Sequence, residues 1–335
     1  GGGGMAPWPP CGSAHDVNKS PGPNGLHPSI LHNCSGVLAL PLSILFSNFF
    51  THSFVPSDWK IANVIPIFKK GEHSSACNYR PVSLTSVVCK VMESVIKDAV
   101  LEHLVANNLL NLSQFGFLPK RSCVSNLLHF LDEVTHDIDD GHNVDVIYLD
   151  FQKAFDKLPL HRLMLKTKSL GVSGNCVNWI DSWLSGRSQR VVVNGEISSW
   201  MDVTSGVPQG SVLGPLLFLI FINDLDAGLD SSICKFADDT KLYRIVDSST
   251  DSAGLQSDLD KLVEWSHKWQ MSFNVGKCKV VHFGSKNLDF PYRMEGTPLE
   301  SAEQECDLGV IVSSSLKPSK QCAAAAARAK RMLGM

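Results

Sequence analysis

The chain has 335 residues, 19% of them charged and 8% aromatic, with a net charge of −3; this is the composition of a globular protein with room for one large domain or several smaller ones, and it excludes a disordered chain. Ten cysteines, Cys11 to Cys322, occur without a C-x-x-C pair, so neither a zinc site nor a disulfide framework is expected and a reducing compartment fits best. The longest apolar run, "VLGPLLFLIFI" at 212–222, is too short to span a bilayer, and the start lacks a signal-peptide layout; the expectation is a soluble intracellular protein, with cytoplasm and nucleus both open.

Residues 1–25 are rich in Gly and Pro and read as a flexible segment, followed by a helical stretch from Pro28 to Phe50. A strand is expected over Ala62–Phe68, closed by a basic turn at Lys69, Lys70 and Gly71. "NYRPVSLTSVVCKVMESVIKDAVLEHLVANNLL" reads as a turn and then a long amphipathic helix with Val88, Val91, Met92, Val95, Ile96, Val100 and Leu104 on one stripe. A second helix runs from Ser122, its cap, to Asp139. "VDVIYLDF" is a buried strand, and two helices follow. "RSQRVVVNGEISSWMDVTSG" is a hairpin turning at Asn194-Gly195. "PLLFLIFINDL" is an apolar helix, "ICKFADDTKLYRIV" a hairpin with its turn at the Asp pair, and "SAGLQSDLDKLVEWSHKWQ" a helix. "KCKVVHFG" is a strand, and short strands and an alanine-rich segment complete the chain. Hairpins mixed with helices in this order indicate an α+β fold.

Asp150 ends an apolar strand, and Asp238 and Asp239 sit in the turn of a hairpin. If the two elements lie side by side, three carboxylates come within a few ångströms, and like charges that close call for a counter-cation. Oxygen-only donors suit Mg²⁺, and a two-metal site for in-line displacement at phosphorus follows. The charge distribution agrees with this: ten acidic against four basic residues over 224–264, but five basic and no acidic residues over 317–335. Solvated faces that happen to differ in sign would look the same.

The segment between the carboxylates, "SGVPQGSVLGPLLF" (205–218), resembles motif B of the reverse transcriptases of non-LTR, LINE-type retrotransposons of the jockey and chicken-repeat kind. The resemblance extends over about residues 19–335. "WKIANVIPIFKKG", "NYRPVSLTSVVCKVMESVI" and "SQFGFLPKRS" are similar to the fingers region, "YLDFQKAFDKLP" to motif A, "FADDTKLY" to motif C, "WQMSFNVGKCKVVHFG" to motif D and "DLGVIVSSSL" to the start of the thumb. It implies a right-hand polymerase, with a helical extension at 26–59, fingers and palm at 60–285 and a partial thumb at 286–335, the palm being an antiparallel sheet backed by helices. It further implies RNA-directed DNA synthesis from an RNA template, a DNA primer and dNTPs, with two Mg²⁺ ions or Mn²⁺ in their place; no membrane is expected as a partner, and the sequence carries no evidence for a protein partner.

By the same resemblance, Asp150, Asp238 and Asp239, with the carbonyl of Phe151, hold the metals. Phe155 lies under the sugar of the incoming nucleotide and excludes a 2′-hydroxyl. Gln209 and Gly210 lie over its base and sugar, and Arg80 with Lys69 or Lys70 grips the triphosphate. Lys277 protonates pyrophosphate, with Lys279 as the rival. Asp156 is expected to cap a turn or pair with Lys153 or Lys157 rather than bind metal. The chain departs from the pattern in lacking an endonuclease before the palm and a zinc knuckle after it, in placing Leu160 between Pro159 and His161, and in a thumb that stops at Met335. A truncated or domesticated fragment that binds nucleic acid without polymerising is the alternative; a two-metal nuclease or phosphatase leaves "PQGSVLGP" without a task.

Overall fold

A computed structural model describes residues 20–334; most of the segment expected to be flexible, 1–25, lies outside them. In chain order the elements are α1 (Pro28–Asn33), α2 (Ser35–Thr51), β1 (Ile61–Phe68), β2 (Tyr79–Leu84), α3 (Val87–Ala106), α4 (Cys123–Asp139), β3 (Val144–Leu149), the short α5 (Ala154–Lys157), α6 (Leu160–Ser169) and α7 (Gly174–Leu184). There follow β4 (Arg187–Val193), β5 (Glu196–Ile197), β6 (Met201–Val203), α8 (Gly214–Phe221), β7 (Ser232–Phe236), β8 (Asp239–Ile245), α9 (Ser249–Trp269) and β9 (Lys279–Phe283). Five short strands, β10 (Arg293–Met294), β11 (Thr297–Pro298), β12 (Glu300–Ser301), β13 (Gln304–Asp307) and β14 (Val310–Ser313), precede α10 (Ser319–Met332). Among the described residues no helix is long and apolar enough to cross a membrane.

The chain folds as two compact units that alternate along the sequence. One takes residues up to Leu109 together with Leu158–Phe221; the other takes Leu110–Lys157 and the chain from Ile222 onward.

In the first unit β1 pairs antiparallel with β2 and parallel with β4, which also pairs with β5 and β6. The β4–β5 turn is Asn194-Gly195, both with positive φ, as its sequence demands. The expected turn in "NYRPVSL" is instead strand β2. Pro81, opposite Pro66, is tolerated because β2 is the edge strand of its sheet. The buried face of α3 is also rotated from the expected stripe. Val88, Val91 and Val95 are only half-buried, whereas Cys89, Glu93 and Ser94 are buried beside Met92, Ile96, Val100 and Leu104.

The second unit is built on the sheet β12-β9-β3-β8-β7, antiparallel except for the parallel β12–β9 pair at one edge. Every residue of β3 is buried, as expected of a central strand. Phe130 and Val134 of α4 pack on Val146, Tyr148 and Tyr243 on one side. Ser122 caps α4 through a reciprocal pair of hydrogen bonds with Ser125, and Ser248 caps α9 in the same way with Asp251.

Candidate active site

The second unit brings the three carboxylates together. Leu149, the last residue of β3, pairs with Thr240 of β8, so Asp150 emerges next to the hairpin that carries Asp238 and Asp239. The turn differs by one residue from expectation: Ala237 and Asp238 form it, and Asp239 is the first residue of β8, opposite Phe236. Ala237 adopts the left-handed conformation, φ +54°, and so takes the place usually filled by Gly in a two-residue hairpin turn.

Asp150 is held through its backbone. Its carbonyl accepts from Asn274 N (2.7 Å), and Gln152 N donates to Ser272 O (3.0 Å). These two bonds close an antiparallel bridge between Phe151 and Phe273, whose rings stack at 4.4 Å. The bridge therefore uses backbone groups that flank Phe151 rather than Phe151's own. Lys277 Nζ stands 3.4 Å from Asp150 Oδ2, whereas Lys279 turns to Glu300 and Glu305 at 3.7 and 3.5 Å. Lys277 ends a short 3₁₀ turn (Val275–Lys277), whereas Lys279 is the first residue of β9, so the two lysines belong to different local structures and meet different partners.

Loss of hydration, and then the charges of Asp238, Asp307 and Asp150, push the Asp239 carboxyl up to about 6, against the opposing charge of Lys241. The Asp239 side chain is nonetheless at the surface, so the crowding of like charge is the part a cation would relieve. Asp307 accepts from Lys241 (2.6 Å), which also donates to Asn126 (2.8 Å) and lies over the Phe130 ring. Lys241 lies in a run of four buried residues of β8, Thr240–Tyr243, and nothing local in the sequence marks its partner Asp307, 66 residues away.

The donor set fits a hard divalent cation. Asp150 Oδ2 is buried and accepts no hydrogen bond, its charged partner being the exposed Lys277 ammonium at 3.4 Å, and the charges of Asp150 and Asp238 both act on Asp239. Among the described residues, no three His, Cys, Asp or Glu side chains form a ready cage. The carboxylates nonetheless share a field, since the charges of Asp238 and Asp150 both raise the Asp239 carboxyl. Most of the other acids in 224–264 have structural tasks: Asp226 binds Lys235 and Asn111, Asp258 binds Ser231 and Lys261, Asp247 binds His142 and Asn143.

The field has a measurable consequence. An acid whose carboxyl is raised by folding stabilises the fold below its ordinary value near 3.8, and this stabilisation is lost as pH rises toward about 6. Without divalent ions the protein is therefore expected to melt lower at pH 7.5 than at pH 5 by the share due to Asp239. Asp239→Asn should remove that share, roughly 1 kcal/mol after allowing for screening at an exposed group. Calorimetry of both proteins across pH 4.5–7.5 in EDTA checks it; parallel curves would show that Asp239 does not feel the cluster.

Phe155, in α5, is half-buried, and its ring meets that of Phe117 edge-on at 6.3 Å. Lys157 donates to Gln152 Oε1 (2.9 Å).

In the first unit, Lys69, Lys70 and Arg80 lie exposed at the loop end of the β1–β2 hairpin, where Lys69 N donates to Asn78 O (2.8 Å). Gln209 is fixed through its carbonyl, which accepts from Ser83 N (2.7 Å). Gly210 is required by the fold itself: its φ is +111°, and a Cβ there would stand 2.8 Å from Ser83 O. Glu93, buried in α3, receives Val212 N (2.7 Å) and Leu213 N (3.2 Å) on one oxygen and Cys89 Sγ on the other. It thereby anchors the loop between Gly210 and α8. The signal for it was a carboxylate on the apolar side of an amphipathic helix.

A right-hand polymerase is the class this arrangement defines. Two Candida telomerase structures share the fold at 12% identity: an apo form from Candida tropicalis truncated from its C-terminal domain (TM-score 0.54, covering 87% of this chain and 60% of that one) and the Candida albicans protein with a fragment of telomeric RNA (TM-score 0.53, 78% and 47%). Residues 67–322 match the family described as reverse transcriptase (RNA-dependent DNA polymerase), and the chain belongs to that family. It is of the non-LTR type. It is 31% identical over 312 residues to the RNA-directed DNA polymerase from the mobile element jockey of Drosophila funebris, covering 89% of this chain and 34% of the relative. Against the probable polymerase from the transposon X-element of Drosophila melanogaster it is 28% identical over 329 residues, covering 94% and 36%. The chain thus spans about a third of the length of these relatives.

Proposed function

We propose that the chain catalyses RNA-templated DNA synthesis, joining dNTPs to the 3′-hydroxyl of a primer. The observation that carries this reading is the register of β3 against β8, which sets Asp150 beside Asp238 and Asp239 in one field. Asp150, Asp238 and Asp239, with the Phe151 carbonyl, would hold two Mg²⁺ ions or Mn²⁺. When bound, these supply charge neutralisation at the attacking and leaving oxygens of an in-line displacement. Lys277, 3.4 Å from Asp150, would give a proton to the departing pyrophosphate, a reading supported over Lys279 because the latter is engaged by two glutamates. Lys69, Lys70 and Arg80 carry exposed positive charge suited to a triphosphate, Arg80 with the geometry for two oxygens at once. Gln209 and Gly210 border the base and sugar, on a loop that Glu93 and Ser83 keep from shifting. Partners are an RNA template and a DNA primer, met in cytoplasm or nucleus.

Purified protein with a primed RNA template, dNTPs and Mg²⁺ tests this directly: primer extension supports it, and tight binding without extension favours the non-polymerising alternative. Because the basic residues lack a base-reading module, hybrid binding should weaken roughly 10²-fold or more between 50 and 200 mM salt and barely respond to sequence. A flat salt titration with strong sequence preference would overturn that part.

A further inference from the structure

Just before α4, the stretch 113–117 is fastened to β7. Phe115 N donates to Lys235 O and Lys235 N to Ser113 O, both at 2.8 Å, making a parallel bridge between Gln114 and Lys235. The stretch therefore runs alongside the end of β7 from which the aspartate turn begins. Gln114 is buried, and its Oε1 accepts from Gly116 N (2.7 Å) and from Ala237 N (2.9 Å), across 123 residues of sequence. Its Nε2 is buried without a hydrogen-bond partner, so the position is not one that satisfies the amide for its own sake. Gly116 approaches so closely that a Cβ there would stand 2.4 Å from Ala237 N. Ala237, meanwhile, holds a left-handed backbone that a residue with a side chain adopts only when its surroundings impose it.

These observations converge on the turn. We propose that Gln114 and Gly116 form a seat that imposes the Ala237-Asp238 turn and thereby aims Asp238 and Asp239; Gln114 is a positioning residue and touches neither substrate nor metal. The inference rests on the reading that the two aspartates hold divalent ions, but the seat itself can be tested without it. A loop that merely closed on itself would need the Gly116 bond alone; the bond to Ala237 is what ties it to the site.

Gln114→Met keeps the volume of the side chain and removes the acceptor; Gln114→Glu keeps an acceptor oxygen. Hydrogen exchange of metal-free protein, read on the peptide covering 236–241, should quicken roughly tenfold or more at Ala237 in Gln114→Met, about the worth of one hydrogen bond, and return toward wild type in Gln114→Glu. Binding of Mn²⁺ alone, followed by electron paramagnetic resonance, should weaken by a similar factor in Gln114→Met with the melting temperature little changed. Gly116→Ala, which pushes on the turn with Gln114 intact, should weaken Mn²⁺ binding as well and supplies the test if Gln114→Met does not fold. Unchanged exchange at Ala237 in Gln114→Met overturns the seat, as does a loss of protection spread evenly over the whole unit. If instead Asp238→Asn leaves Mn²⁺ binding intact, the metal reading fails while the exchange result still decides the seat.

Discussion

Asp150→Asn and Asp238→Asn are each expected to lower primer extension by about 10³-fold or more while leaving the protein folded. Each change keeps the size of the side chain and removes one negative charge. In phosphoryl transfer nearly all of the acceleration comes from positioning and charge neutralisation, so an ion lost or displaced costs several kcal/mol of barrier, at 1.4 kcal/mol per decade. The stability change should have the opposite sign. Asp150 has a buried oxygen that accepts no hydrogen bond, and its charge raises the Asp239 carboxyl. What it forfeits is an ion pair with Lys277, whose side chain is 68% exposed, and a pair so open to water contributes little. The metal-free variants should therefore melt at or slightly above the wild-type temperature. Extension assays at several Mg²⁺ concentrations, beside melting curves, decide the matter; near-normal extension by either variant would remove that residue from the site.

Phe155→Val is expected to admit ribonucleotides while retaining much of the dNTP incorporation. A site cannot reject the larger of two sugars by hydrogen bonding alone, but steric overlap rises steeply with approach. Removing it would relax selectivity roughly 10²-fold. The competing expectation is a packing loss that lowers both activities together. Phe155 is half-buried and rests edge-on against Phe117, itself 53% exposed, so truncation to Val should cost only about 1–2 kcal/mol, less than a fully buried Phe. The ratio of kcat/KM for dNTP and rNTP on one primed template, with a melting curve for each protein, separates the two. A ratio unchanged from wild type means that Phe155 is not the gate.

The elements that carry the aspartates were legible in the sequence because their signals are local: an unbroken apolar strand for β3, alternation and a short turn for β7 and β8. The turn itself was placed one residue late. Local rules assign positive φ to Gly, Asn or Asp, and only contacts from residues far away in sequence put Ala237 there instead. Strand β2 was hidden by Pro81, which reads as a turn until its edge position is known. Lys277 and Lys279 stand two residues apart with the same chemistry, and only the fold shows one beside Asp150 and the other beside Glu300 and Glu305. Glu93 and Gln114 act through bonds that span 119 and 123 residues, a kind of relation that no periodicity encodes.

The alternation of the two units along the chain sets the order in which the protein can assemble. The first unit lacks α6, α7, β4 and α8 until Phe221 has been made, and the second lacks both strands that flank β3. Asp150 meets Cys278, its neighbour from the β9 side, only across 128 residues. During synthesis β3, buried along its whole length in the finished fold, must wait with its apolar side chains and backbone groups uncovered. Late closure of such distant pairs makes for slow folding and a window in which unpaired edges can find other chains. Expression at low temperature or with chaperones should raise the soluble yield far more than it would for a protein of this size whose domains follow one another in sequence.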